Sequence, residues 1–189
     1  MTDVIDALAG ITAGSPLYEL RRRKPVTRDN AQASFDALLE AETAEMSRAE
    51  RAAVAYFVAG LHGEGIEFYR ARLEAAEPAL VPAVRAAIET GAGSGPYGRF
   101  PAGPLSAEDQ QGPVLSLHEG PLVRRLAAAL EHAHMLVFHP RDAAASNLRA
   151  LEAAGWSATG IVTLSQLVSF LSFQLRTAAG LRVLDRSRG

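Results

Sequence analysis

At 189 residues the chain is long enough for one domain, or for two small helical units sharing a core. At that size it can bury roughly 70% of its unfolded surface, so it needs no disulfide or metal to fold. Its apolar fraction is 48%, dominated by alanine, which favours helix over strand, and its formal net charge is −2. That charge is too near neutral for electrostatic capture of nucleic acid or an anionic membrane. There is no cysteine, which excludes disulfides, thiolate metal sites, thiol nucleophiles and iron–sulfur clusters.

The N-terminus MTDVIDALAG carries early acids and no basic region before an apolar core, so it does not read as a signal peptide. Polar residues break the apolar runs short of the ~18 positions a membrane span requires. A soluble, cytoplasmic protein is expected, with neither membrane nor nucleic acid as partner. The run Arg21-Arg22-Arg23-Lys24 is a local exception, read as a solvated segment or as a lid over an acidic patch. Lys24 is the only lysine, and so the only candidate for Schiff-base chemistry.

Asp3 is placed to cap a short helix through Leu8, ended by Gly10, and Gly14-Ser15-Pro16 signals a turn. After Pro25, Thr27 is a candidate cap for a helix over 31–41, with Phe35, Leu38 and Leu39 apolar. Ser47-Arg-Ala-Glu50 is a capping box and the clearest start signal in the chain. From it Ala52, Ala53, Tyr56, Phe57, Gly60 and Leu61 recur at helical spacing. Gly63 and Gly65 each cost about 1 kcal/mol of helix propensity, which predicts a break near His62. Ile66, Phe68, Tyr69 and Leu73 resume a helix that ends before Pro78. Another follows to Thr90, with Gly91 as its stop.

Residues 91–113 are too rich in Gly and Pro for a regular element beyond a turn near 106–110. So long a connection is a lid, a packed loop or a linker. It divides two helical halves, 1–90 and 114–189, of a single domain, and Tyr97, Arg99 and Phe100 give it the means to dock. Pro121 to Phe138 reads as a helix, then Asp142 as the cap of a short helix stopped by Gly155. Ser157 opens the longest apolar segment, to about Ala179. There Ile161, Leu164, Leu167, Val168, Leu171 and Leu175 share one arc, and Ser165, Ser169, Ser172 and Arg176 form a second, narrow stripe. The stripe fits serines tolerated on an exposed side, or a helix facing another helix or a subunit. The fold class predicted is all-α.

Two clusters bear on chemistry. His132, His134 and His139 are close in sequence, but helical positions i and i+2 point about 160–200° apart, so His132 and His134 cannot share one ion. They are read as surface or capping histidines, and no metal is expected. His62, Glu64 and Glu67 cluster at the glycine break. An imidazole beside a tunable carboxyl suits proton transfer, while acids at a helix start also complement its dipole. Gly91-Ala-Gly-Ser-Gly lacks the strand and the Lys-Ser/Thr of a phosphate loop, and no cofactor motif is present.

The segment Asn147-Leu-Arg-Ala-Leu-Glu-Ala-Ala-Gly-Trp-Ser, continuing through Ile161-Val-Thr-Leu-Ser-Gln-Leu-Val-Ser-Phe to Phe173-Gln-Leu-Arg-Thr-Ala-Ala-Gly-Leu181, resembles one known family. It is the carboxymuconolactone decarboxylase / alkylhydroperoxidase D superfamily, in its peroxidase-related branch. Residues 50–73 resemble that family's core helix. Together the two parts cover roughly a third of the chain. The resemblance implies an alkylhydroperoxidase D-like helical bundle, assembled as a homo-oligomer.

In thiol-bearing relatives the core helix runs into Cys-x-x-Cys-x-x-x-His, with an upstream Glu in a proton relay. A gapless register puts those positions at Gly63, Ile66 and Arg70; a one-residue slide puts them at Glu64, Glu67 and Ala71. Only the upstream acid survives, as Glu50, which the capping box explains equally well. Dithiol peroxidase chemistry is therefore impossible. The resemblance then implies an accessory or non-thiol member, with a thiol-bearing sister of the same fold as a possible partner. The alternatives are a cofactor-free acid/base enzyme of decarboxylase or lactone type, with His62, Glu64, Glu67 and Glu50 as candidate residues, or a small-molecule binding module with 91–113 as its lid.

Overall fold

The computed structural model describes residues 3–117 and 120–187; the N-terminal reading from Met1 and Thr2 lies outside them. Among the described residues the chain is all-α, its only strand-like feature an isolated bridge between Gly98 and Gln110. Helix α1 (Val4–Ala9) starts where the Asp3 carboxylate accepts the Asp6 amide at 2.9 Å, and ends at Gly10 in the left-handed region, φ 71°.

The turn expected at Gly14-Ser15-Pro16 is present, with Ser15 N donating to the Thr12 carbonyl at 3.2 Å and Gly14 at φ 81°, and it leads straight into a helix that was not expected, α2 (Pro16–Arg22). Ser15 caps it, and Pro16 occupies the first position, where proline's fixed φ suits a helix and its missing N–H costs nothing. The basic run closes this helix. Arg21 reaches back to Asp3, at 3.0 Å, and to Asp6, while Arg23 and Lys24 stay exposed. Helix α3 (Pro25–Phe35) begins two residues before the expected cap at Thr27 and widens into a π-helical turn, Asp36–Glu40.

Helix α4 (Arg48–His62) has both bonds of its capping box, Ser47 N to Glu50 at 2.8 Å and Glu50 N to Ser47 at 3.2 Å. It is buried without interruption from Arg51 to Ala59, and such an all-round apolar helix belongs in a core. Gly63 and Gly65, with φ 66° and 64°, make the turn into α5 (Ile66–Ala76). A 3-10 turn, Pro78–Leu80, leads into α6 (Val81–Gly91).

Helix α7 (Arg124–Phe138) precedes α8 (Ala145–Ala153), and α9 (Ala158–Arg186) completes the chain. Asp142 does not cap α8. Its carboxylate accepts the Arg99 amide at 3.2 Å and faces His139, and the Asn147 side chain accepts the Ala144 amide at 2.8 Å.

Helix α9 is long and apolar enough to cross a membrane by length and composition alone. In the fold it is a core helix, packed on α1, α3, α4, α7 and α8. Leu164, Leu167, Leu171 and Leu175 are fully buried, each stabilising the fold by roughly 1.5–3 kcal/mol relative to exposure. Side chains from both sides of the 91–113 segment join one hydrophobic core with α4 and α9 at its centre.

The connection after α6 is packed. Tyr97 is buried against the rings of Phe138 and His139, and its amide donates to the Phe138 carbonyl at 2.6 Å. Phe100 lies under the Arg141 guanidinium at 3.9 Å. The loop therefore docks on the C-terminal end of α7, through two of the three residues singled out for docking and the backbone of the third.

Candidate functional site

The residues grouped at the glycine break diverge in space. His62 turns towards α9, its Nε2 3.1 Å from Ser172 Oγ, and burial, then the charge of Arg176, lowers its pKa to about 4. Glu64 is ion-paired with Arg182, farther along α9. Glu67 is 77% exposed and pairs with Arg70 at 2.8 Å. Glu50 has both carboxylate oxygens engaged, one with the Ser47 amide at 2.8 Å and one with Arg125 Nε at 2.7 Å. Arg125 in turn stacks on Trp156 and donates to the carbonyls of Glu45 and Gly155. Glu50 thus clamps α4 to α7. None of the four lines the cavity described next.

The three clustered histidines are not on the surface. His132, His134 and His139 are 6%, 2% and 6% exposed and all line one cavity of about 230 Å³. The cavity lies between α7, α8 and the docked loop, with Val114, Leu115, Met135, Ala150 and Leu151 as apolar wall and Glu131, Asp142 and Asn147 as polar wall. A second cavity, of about 350 Å³, lies towards α9 and shares His132, Met135 and Asn147 with the first. The physical reason is the cover on α7. One side packs on α4 and α9, α8 and the loop take the others, and beyond Arg124 no residue of α7 is exposed. Histidines pointing opposite ways on such a helix are both buried.

Ser165 Oγ lies 2.9 Å from the Ile161 carbonyl and 3.2 Å from His132 Nε2. The His132 Nδ1 is buried and without a hydrogen-bond partner. His134 Nε2 lies 3.1 Å from the Gly91 carbonyl and must donate to it. Gly91 packs closely there: a Cβ would stand 3.2 Å from the His134 ring, which would have to give by a few tenths of an ångström. His139 is held between Asp142, at 3.3 Å from Nδ1, and the Pro113 carbonyl, at 2.8 Å from Nε2.

Burial lowers the pKa of His132 and, more than the Gly91 bond raises it, that of His134. Both are neutral at pH 7, the form in which a ring nitrogen can accept a proton.

No family model matches the chain, and none of the characterised proteins compared matches it.

Among the described residues no group of three or more His, Asp or Glu side chains is placed to hold a metal ion. What the cavity offers is three buried histidines between apolar walls. The three histidines were visible in the sequence as a cluster, but no periodic signal marks them as inward-facing, because the loop that covers them is a non-local contact. The serine stripe on α9 has a use of the same kind: Ser165 meets His132 and Ser172 meets His62.

Proposed function

We propose that this chain binds a small molecule in the histidine cavity and moves a proton there, with His132 as the base and no cofactor. The observation that carries the reading is three buried histidines, His132, His134 and His139, on the wall of one cavity. The cavity, with apolar walls and a few convergent polar groups, has the character of a ligand site. The packed loop after α6 supplies Val114 and Leu115 to its wall.

The sequence resemblance supports placing the chain as a cysteine-free relative of the carboxymuconolactone decarboxylase / alkylhydroperoxidase D superfamily. In that setting the acid/base work falls to α7 and not to the α4–α5 break, where Glu64 and Glu67 are held in ion pairs. A thermal-shift screen of small neutral metabolites tests the reading. Compounds that raise the melting temperature of the native chain and leave His132→Leu unmoved support it; hits that stabilise both proteins equally place binding elsewhere.

Assembly with further copies of the chain is a second reading, favoured by the outer face of α9. Val162, Phe173 and Val183 are 56%, 49% and 58% exposed there, with Arg176 between them. Sedimentation of Phe173→Glu against the native chain tests it, a shift to a smaller species being the expected result.

A further inference from the structure

The outer face of α9 is spaced to meet a second copy of itself. We infer that two chains pair through this helix, antiparallel, about a two-fold axis level with Leu171, midway between Ser169 and Phe173. The inference rests on the assembly reading above and adds the orientation and register of the partner.

Spacing is the first observation. Between Thr159 and Val183 the exposed residues of α9 recur at alternating steps of three and four, the spacing of a coiled-coil seam. The helix is half-buried along the flanks of this line and buried on its far side, where Leu164, Leu171 and Leu175 meet the core. Only 44% of its most apolar 18-residue window is buried. From Ala158 to Leu181 the single charge is Arg176. An exposed face so poor in charge suits contact with protein better than contact with water.

The second observation is self-complementarity. In the antiparallel register Ser169 faces the partner's Phe173, Val162 the partner's Gly180, and Thr159 the partner's Val183. A phenyl ring thus meets a serine, and a valine meets a glycine, the large-against-small pairing that lets facing helices interlock. Nothing in its own chain accounts for Gly180. Glycine weakens a helix interior relative to alanine, and a Cβ there would meet nothing within 4 Å. The space it leaves is open to the partner's Val162.

Charge selects the direction. A parallel pair would set Arg176 against the partner's Arg176, and Phe173 against the partner's Phe173. The antiparallel pair separates the two guanidiniums by about 15 Å along the axis and sets each beside the partner's Gln166, whose amide oxygen can accept from it. A featureless apolar surface, lipid included, would desolvate Arg176 with no acceptor to meet it. The seam is about 36 Å long and about 10 Å wide, on the order of 700–800 Å² over both copies, the small end of specific interfaces. Monomer and dimer are therefore expected to exchange.

The chain has no cysteine, so one introduced thiol can carry a single spin label. Asp185→Cys places it at the exposed end of α9, outside the seam. The label-to-label distance in the dimer is expected to be about 40 Å, against about 10–20 Å for a parallel pair. Gln166→Glu, which sets a carboxylate opposite the partner's Arg176, is expected to tighten the dimer about tenfold by sedimentation equilibrium. In a parallel pair the two new carboxylates would face each other and loosen it. Gly180→Leu is expected to weaken the dimer about tenfold or more, while the dilute monomer melts no lower than the native chain.

A short label distance, or a dimer loosened by Gln166→Glu, overturns the antiparallel register and leaves assembly through α9 standing. A chain that stays monomeric at millimolar concentration overturns this inference and the assembly reading together. So does a dimer indifferent to both Gly180→Leu and Phe173→Glu.

Discussion

His62 Nε2 lies 3.1 Å from Ser172 Oγ and ties the end of α4 to the middle of α9. His132 makes the same contact from α7, to Ser165, about two turns earlier on the same face of α9. The two pairings have different surroundings. His62 lies near the positive charge of Arg176, which disfavours its protonation beyond what burial does, whereas His132 faces the cavity. Two helices therefore dock on α9 serines through imidazoles whose pKa burial lowers.

That dependence gives the protein an acid-sensitive fold. His62 has its pKa lowered from 6.5 to about 4, and burial lowers His132 and His134 in the same direction. Between those limits the unfolded chain binds more protons than the folded one, so stability rises with pH. It is fully present above about pH 6.5 and is lost as pH falls towards 4, the partly exposed His62 contributing less than the ~3 kcal/mol of an unscreened shift. Urea unfolding from pH 7.5 to 4.5 should show this slope, and His62→Gln should flatten part of it. An identical slope in the variant would remove His62 as a cause.

Arg125 should matter more to stability than any exposed ion pair. Its guanidinium holds Glu50 at 2.7 Å and the Glu45 carbonyl at 2.8 Å, and lies 3.9 Å over Trp156. It thereby joins the starts of α4 and α7 to the turn before α9. Arg125→Ala is expected to cost about 2–4 kcal/mol, or about 5–15 °C in melting temperature. Glu67→Gln, which disturbs only an exposed pair, should stay within about 0.5 kcal/mol. Similar losses in the two variants would contradict the clamp.

The contrast between these residues also shows where sequence reading succeeds. Asp3 with Gly10, Ser47 with Glu50, and Ser157 are caps whose bonds close within a few residues, and each was legible. The turn at Gly14-Ser15-Pro16 was legible too, but the helix that Ser15 caps was not, because a proline after a serine suits a turn and a helix start equally well. Asp142 misled because its carboxylate is taken by Arg99, 43 residues away, which leaves the capping role to Asn147. The same distance effect hid the cavity. Whether His132 and His134 are inside or outside depends on a loop whose docking no local pattern encodes. At the α4–α5 break the glycines were legible, but the direction of Glu64 was set by Arg182, 118 positions on.

Closure of that loop should be sensitive to a single methyl group. A Cβ on Gly112 would stand 2.2 Å from the ring of Tyr97, which is itself buried. Gly112→Ala must displace the ring or the loop, at a cost of about 1–3 kcal/mol. Hydrogen exchange should accelerate at the Tyr97 and Gly98 amides, which bond to Phe138 and Gln110. Gly103→Ala serves as the control, because its Cβ would meet nothing closer than 3.9 Å. Equal exchange in the two variants would mean that Tyr97 does not hold the loop down.

Arg51 gives the most direct test of how charge is treated in this core. It is 1% exposed; its Nη1 donates to the Ala41 carbonyl, but its Nε and Nη2 have no partner. Among the described residues no carboxylate lies within ion-pairing distance of it, so its desolvation is not offset by a counter-charge. Replacing a buried charge with an apolar side chain of similar length is often neutral or stabilising, by about 1–4 kcal/mol. Arg51→Met is therefore expected to unfold at the same urea concentration as the native chain or a higher one. Arg51→Ala should be less stable than Arg51→Met by about 2–3 kcal/mol, because it leaves a cavity beside α4. A Met variant markedly less stable than the native chain would show that the guanidinium is paired in solution, and anion titration of the native protein would then locate its partner.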